Sequence, residues 1–164
     1  MKSLAAAGAA ATIAVTIVVA TAGGKAPDAR TLKLTELPGG SFGVVDNPPK
    51  TTHSRQGQPR AFSVGDIVAF SVPVADDKRR PQGRVAVQCV VTRPGVPQSA
   101  ELACTGAFRL RLGQLSVSAA IVGEPSTLNA VVTGGTGAYA GARGTLRSVT
   151  GKNGRTTDTI RLLR

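Results

Sequence analysis

The sequence contains no tryptophan and a single histidine, His53, among its 164 residues. One histidine cannot supply a metal site built on several histidines, and a Ser-His-Asp triad needs a histidine held rigidly beside its partners. His53 instead lies in a proline-rich stretch, so we interpret it as a solvated loop residue. The sequence therefore predicts no metal site and no bound cofactor.

Aromatic residues are equally scarce, at 3% of the chain. Proteins that bind single-stranded nucleic acid stack the bases on aromatic side chains, and few are present here. The chain carries a formal net charge of +11, but its cations are dispersed along the sequence. Dispersed charge gives solubility and a loose attraction to anionic cell-surface material, so we expect no specific nucleic-acid partner. The dispersed arginines include Arg60, Arg84, Arg109, Arg147 and Arg161.

The sequence also lacks the pattern of an amphipathic helix after its N-terminal segment. Residues 1–22 combine Lys2 with a long apolar run and end in Ala-Thr-Ala, a pattern typical of a signal peptidase site. We interpret residues 1–22 as a signal peptide cleaved after Ala22, which predicts a secreted protein. The alternative is an uncleaved anchor, because the run approaches the roughly 20 residues that span a bilayer. Membrane contact is expected only through such an uncleaved segment.

Residues 23–30 are predicted to be a short tether, and residues 31–164 a single domain. The domain contains only two cysteines, Cys89 and Cys104. In an oxidising compartment, two thiols are more typical of a disulfide than of a metal or redox site. The two lie in strand-like runs joined by a turn-rich stretch, so we predict a disulfide between neighbouring strands. The alternative is a pair of buried free thiols.

Alternating apolar and polar residues predict an all-β domain of roughly eight strands. Residues 38–60 are rich in Pro, Gly, Asn and charged residues, and predict a long surface loop. Asn153-Gly154 predicts a tight type I′ hairpin. Many short strands separated by turns indicate a closed antiparallel barrel or a sandwich. The predicted strands are residues 32–37, 62–74, 84–91, 101–110, 114–122, 127–133, 144–150 and 156–163.

The stretch VTGGTGAYAGARGTL, residues 132–146, contains five glycines. Part of it, GTGAYA, satisfies the loose dinucleotide pattern, and Asp158 follows at a suitable distance for a ribose contact. That pattern must open a helix, however, and the residues that follow it here look like a strand. We therefore interpret the glycines as positions of positive φ and close strand approach at a tight corner.

This glycine-rich stretch resembles a segment shared by plant dirigent proteins and allene oxide cyclases. Upstream, VGDIVAFSVPVAD resembles a hydrophobic strand of allene oxide cyclases. The order of Cys89, LRLGQLSVSA and AVVTGGTG also follows theirs without long gaps. The similarity spans residues 32–163. It implies an eight-stranded antiparallel calycin-like barrel that commonly forms a homotrimer.

The resemblance also implies a catalytic pair. Glu36 matches a glutamate that is implicated in catalysis by allene oxide cyclases, but Pro38 stands where their asparagine is expected. Proline has no side-chain amide to polarise an epoxide oxygen, which places the plant reaction itself in doubt. Arg143 matches an arginine that faces the cavity of dirigent proteins, where a cation can hold a carboxylate or a developing oxyanion. The alternative for Arg143 is a surface salt bridge or a cap on the loop carbonyls.

Two further residues are candidates for ligand binding. Tyr139 is the sole tyrosine, and its alternative role is a hydrophobic lid on one end of the barrel. Asp66 interrupts an apolar face, and its alternative role is to bind backbone N–H groups at the start of a strand. For Glu36, burial among apolar strands would raise the pKa and suit the carboxyl to general acid catalysis.

These observations predict an exported barrel that binds an apolar or amphipathic small molecule and guides its cyclisation or stereoselective coupling. A barrel can do this by holding a reactive species in one geometry, without a covalent step of its own. The alternative is a non-catalytic structural or cell-surface interaction barrel. A cavity of about a few hundred Å³, lined by Glu36 or Arg143, would favour the first function, and a filled interior the second.

Overall fold

The structure is a computed structural model that describes residues 30–48 and 61–163. The predicted signal peptide, all but the last residue of the predicted tether, and His53 lie outside the described residues. Arg30 was expected in the tether, but it is the first residue of β1. The strands are β1 (Arg30–Glu36), β2 (Ser41–Val45), β3 (Ile67–Ala75), β4 (Pro81–Arg93), β5 (Glu101–Leu110), β6 (Gly113–Val122), β7 (Thr127–Gly135), β8 (Arg143–Thr150) and β9 (Thr156–Leu163).

Every strand pairs antiparallel with its neighbours, in the order β1-β9-β8-β7-β6-β5-β4-β3-β2, and β1 also pairs with β3. That last pairing joins Thr35 to Ala75 and Glu36 to Val74, and it closes an eight-stranded barrel of β1 and β3–β9. The predicted fold class is therefore confirmed. The sandwich alternative is wrong, because both ends of the sheet meet on β3.

The predicted loop over residues 38–60 is wrong in part, because it contains β2. β2 pairs with β3 on the same edge that β1 uses, from Ser41–Ser71 to Val45–Ile67. β2 therefore continues β1 beyond an interruption at Pro38, Gly39 and Gly40. The Pro-Gly-Gly sequence concealed the strand, because these residues break the alternating pattern on which the prediction rested.

The barrel interior holds two clusters of buried side chains. The larger fills one end and the middle, and its most buried members are Val74, Phe108, Leu115 and Ile160. The smaller cluster lies at the other end and contains the predicted disulfide, which joins Cys89 on β4 to Cys104 directly opposite on β5. The smaller cluster consists of Phe62, Cys89, Val91, Ala100, Leu102 and Cys104.

The glycine-rich stretch forms a corner between β7 and β8, as predicted. Its middle is a single 3₁₀ turn, Gly137–Tyr139. Gly137 has φ +60°, and a Cβ there would lie 2.5 Å from the carbonyl oxygen of Leu112, so only glycine fits. No helix in the described part of the chain is long and apolar enough to cross a membrane.

The hairpin between β8 and β9 differs from the predicted type I′ turn. Its connection is residues 151–155, and the Gly154 N–H donates to the Gly151 carbonyl at 2.9 Å. Gly154 has φ +72°, but Asn153 does not share the positive φ that a type I′ turn requires at both central residues. Gly154 is therefore the last residue of a four-residue turn that begins at Gly151. It is not the second central residue of a two-residue hairpin turn.

Candidate functional site

A cavity of about 120 Å³ lies inside the barrel, where the two clusters meet. Most of its wall is apolar, and the disulfide forms part of it. Three polar side chains that reach it come from adjacent strands: Glu36 from β1, Asp158 from β9 and Ser148 from β8. The apolar lining includes Phe70, Val87, Phe108, Ile121, Leu128 and Leu146.

Glu36 lies at the last residue of β1, where it pairs with Val74 of β3. It shares the inward face of β1 with Leu34, because side chains two residues apart point to the same side of a strand. Removal from water raises the pKa of Glu36 to about 7, and the nearby Asp158 carboxylate adds to this rise. Near neutral pH, this carboxyl can therefore hold a proton and donate it.

Asp158 is almost fully buried, with 2% of its surface exposed. It pairs with Leu34 on β1 and with Ser148 on β8. Burial raises the pKa of Asp158 to about 6, and a hydrogen bond from the Ser148 side chain opposes the rise. Its Oδ2 atom has no hydrogen-bond partner among the described residues. A buried carboxyl oxygen without a partner is costly, so it offers an acceptor to any donor in the cavity.

The two carboxyls lose their protons in a defined order as the pH rises, Asp158 before Glu36. Asp158 has the lower pKa, and its negative charge then helps Glu36 to retain its proton. Between about pH 6 and 7, the cavity therefore presents one anionic acceptor and one neutral acid. Paired carboxyls with separated pKa values are a common basis for acid-base chemistry.

The structure does not bring Arg143 to this cavity. Arg143 begins β8, is exposed, and pairs with the exposed Leu163 on the outer face of the barrel. The expected polar pair of Glu36 and Arg143 is therefore not assembled in the structure. The acidic residue that accompanies Glu36 is Asp158.

Tyr139 is buried, with 5% of its surface exposed, and belongs to the larger cluster. It does not contact the cavity that Glu36 lines. It lies at the corner between β7 and β8, and the guanidinium of Arg30 stacks on its ring at 5.5 Å from the centroid. This position matches the alternative of a lid on one end of the barrel.

Asp66 is fully buried, but its carboxylate is occupied by neighbouring groups. Its Oδ1 accepts hydrogen bonds from the Asn47 backbone N–H at 2.9 Å and the Ser63 hydroxyl at 3.0 Å. Its Oδ2 accepts from the Ser63 backbone N–H at 2.8 Å. These bonds hold residues 61–66 in a turn, which is why β3 begins at Ile67 rather than at residue 62. Asp66 thus has the structural role given above as its alternative.

We expect Asp66→Ala to destabilise the fold by about 3 kcal/mol, because it leaves two backbone N–H groups without their charged acceptor. Chemical denaturation would measure the change. Asp66→Asn keeps one acceptor oxygen and should lose roughly half as much. If both variants unfold at the wild-type denaturant concentration, the carboxylate does not hold this turn.

The role of Asp158 escaped the sequence analysis, which considered it only as a ribose contact. One signal was present, since Asp158 alternates with the apolar Ile160 and Leu162 that follow it on the same face of the strand. No group of three or more His, Cys, Asp or Glu side chains that could hold a metal ion occurs within residues 30–48 and 61–163.

No protein-family model matches the sequence, and no curated protein is significantly similar to it. Solved structures do resemble the fold. A pyocyanin demethylase superimposes with a TM-score of 0.60 at 20% identity, covering 82% of this chain and 98% of its own. An exo-specific intermolecular Diels-Alderase gives 0.57 at 14% identity, covering 82% and 96% respectively.

A pterocarpan synthase dirigent protein superimposes with a TM-score of 0.53 at 16% identity, covering 93% of this chain and 96% of its own. At these identities the likeness concerns the fold alone. Together with strand order and closure, it shows that this chain has the fold of a dirigent-like barrel.

Proposed function

We propose that this barrel binds an apolar or amphipathic small molecule in its interior cavity and guides the cyclisation or coupling of that molecule. The observation that carries the proposal is the unpartnered Oδ2 of Asp158, buried in an apolar cavity that Glu36, with its pKa raised to about 7, also lines. An apolar site with a few convergent polar groups is the usual form of a small-molecule site.

Each wall of the cavity has a role in this proposal. The apolar side chains exclude water and hold the ligand in one orientation. Asp158 accepts a hydrogen bond from a hydroxyl or amino group of the ligand, and Glu36 donates a proton to an atom that gains negative charge in the reaction. The Diels-Alderase and the dirigent protein support the proposal by analogy of fold, since their names describe ring formation and a dirigent role on a similar barrel.

The cavity volume favours a small ligand, or one aromatic ring of a larger one. A cavity of about 150 Å³ in another protein holds benzene, and the 120 Å³ here is comparable. It is smaller than the few hundred Å³ expected from the sequence. That difference supports the second candidate, a non-catalytic barrel with a mostly filled interior. Secretion and a homotrimer stay predictions.

Titration with phenol and toluene tests the proposal at about pH 6.5, where most of Asp158 is ionised. We expect phenol to bind about tenfold more tightly than toluene, because its hydroxyl can donate to Asp158 Oδ2. Amide chemical shifts of residues that line the cavity would follow binding. Glu36→Gln should retain phenol binding, but remove the acid from any reaction that the barrel guides.

Two variants provide the controls. Asp158→Leu should abolish the preference for phenol while leaving toluene bound, because it replaces the two acceptor oxygens with methyl groups in the same branched arrangement. Ala119→Leu should block both probes by filling the cavity. Failure of both probes to bind the wild-type protein would favour the non-catalytic barrel.

A further inference from the structure

A second concave surface lies on the outside of the barrel, over β1, β9, β8, β7 and β6. We call it the basic groove; it is lined by Lys33, Ser118, Ala119, Ala120, Asn129, Ala130, Val131, Thr145, Leu146, Arg147, Thr159 and Arg161. Four of these residues also line the interior cavity: Ser118, Ala119, Ala130 and Leu146. The basic groove and the cavity therefore lie on opposite sides of the same part of the wall.

The groove exists because β6 and β7 separate toward the turn that joins them. Their ladder runs only from Leu115–Gly135 to Ser118–Val131, so residues 119–122 and 127–130 extend beyond its end. Residues 119–122 remain paired with β5, and residues 127–130 remain paired with β8.

Two backbone hydrogen bonds hold the strands apart. The Gly123 N–H donates to the Ala100 carbonyl at 2.8 Å, which draws the end of β6 toward the turn between β4 and β5. The Thr150 N–H donates to the Ser126 carbonyl at 2.9 Å, which draws the start of β7 toward β8. Gly123 has φ +62°, and a Cβ there would collide with the Gln98 carbonyl oxygen, so this arrangement depends on glycine.

The two sides of the basic groove differ in chemistry. Lys33, Arg147 and Arg161 are exposed around Thr159, with Lys33 and Arg147 two strands apart, at about 10 Å. Across the groove, Val131 is 53% exposed beside the separated strands. One side is therefore cationic, and the other side carries Val131 and Ala120 together with the uncharged polar Ser118 and Asn129.

On the five strands of the groove, no acidic side chain neutralises these cations from the same face. The five strands carry only two acidic residues, Glu36 and Asp158, and both face the interior cavity. Among the described residues, the close ion pairs are Arg80–Asp76 and Arg93–Glu101, which involve none of the three cations. Three uncompensated cations on one small surface attract an anion.

We propose that the basic groove binds the anionic group of an amphipathic small molecule, a carboxylate or a phosphate. The three cations hold the anionic group, and the apolar part lies against Val131 toward the separated ends of β6 and β7. This inference does not rest on the function proposed for the interior cavity.

Titration with benzoate and with inorganic phosphate tests the inference on the full chain at low ionic strength. We expect both probes to shift the amide resonances of the strands that carry the three cations. Benzoate should also shift residues 118–120 and 129–131, because its ring reaches the side that carries Val131. If only phosphate binds, the apolar half of the proposal is wrong.

Two triple variants with the same formal charge distinguish the effect of the groove cations on binding from the effect of net charge. Lys33→Gln/Arg147→Gln/Arg161→Gln removes the groove cations, and Lys152→Gln/Arg109→Gln/Arg111→Gln removes exposed cations elsewhere. Each set takes the formal charge from +11 to +8. We expect the first set to weaken benzoate binding by about tenfold and the second by less than about twofold.

Equal losses in the two triple variants would overturn the inference, since binding would then follow net charge alone. Toluene binding, measured on the same groove variant, reports on the interior cavity. Toluene binding should be unchanged in this variant. The proposal for the groove and the proposal for the cavity can therefore be rejected independently.

Discussion

At about pH 8, Asp158→Leu is expected to be more stable than the wild-type protein by about 3 kcal/mol. In the wild type at this pH, Asp158 is ionised in an apolar cavity, and its Oδ2 has no partner among the described residues. Its pKa rises from 3.8 to about 6 on folding, and such a rise measures the cost of burying the charge. Leucine has the same branched arrangement of side-chain heavy atoms and carries no charge, so it avoids that cost.

The gain should depend on pH in a defined direction. The folded-state pKa of Asp158 lies above its unfolded value, so the folded protein binds this proton more tightly. The contribution of Asp158 to wild-type stability is therefore most favourable below about pH 4 and is lost as the pH rises to about 6, and the same loss from Glu36 extends to about pH 7. The variant should lose the Asp158 part of this fall. Denaturant unfolding at several pH values would measure it.

Asp76 provides a control of opposite sign. Hydrogen bonds and the nearby Arg80 guanidinium hold its pKa below its ordinary value, despite a contribution from desolvation in the other direction. Asp76→Asn should therefore reduce stability above about pH 4 and change little below it. If Asp158→Leu gains equally at low and high pH, the gain comes from packing rather than from removal of a charge.

Reduction of the Cys89–Cys104 disulfide is expected to destabilise the fold by about 3 kcal/mol. The bond closes a loop with a sequence separation of 15, and in the chain-entropy model its loss gives the unfolded chain more freedom. The two residues already face each other on paired strands, so we expect the barrel to keep its register. Unfolding with and without a reductant would measure the difference.

Cys89→Ala/Cys104→Ala should cost more than reduction, because it also removes sulfur atoms from the cavity wall and enlarges the cavity. The double variant should accept a larger aromatic probe than the wild type. Equal unfolding of reduced and oxidised protein would show that the cross-link contributes nothing to stability.

The sequence predicted the barrel well because alternation reports directly on which side of a strand is buried. The predicted bounds of β5 and β9 match the structure, and in each strand the buried residues all lie on one face. The failures lie where a local feature overrides alternation. Pro38-Gly39-Gly40 hid β2, and the hydrogen bonds of Asp66 convert the first residues of a predicted strand into a turn.

The site was predicted only in part. Glu36 was found through resemblance, and its position on the inward face follows from alternation with Leu34. Arg143 was misplaced, because alternation puts it outside with Thr145 and Arg147, and the resemblance was followed instead. The separation of β6 from β7 depends on hydrogen bonds from Gly123 and Thr150 to distant carbonyls, which no local pattern in the sequence reports.

The closure between β1 and β3 also determines how the Glu36 carboxyl can regain a proton. Glu36 borders the interior cavity on one side, and on the other a surface depression that includes Pro38 and Asn153. A carboxyl at this boundary can recover its proton from bulk water without any carrier crossing the apolar interior. In the function proposed above, the acid would then be recharged from the solvent side of the barrel wall.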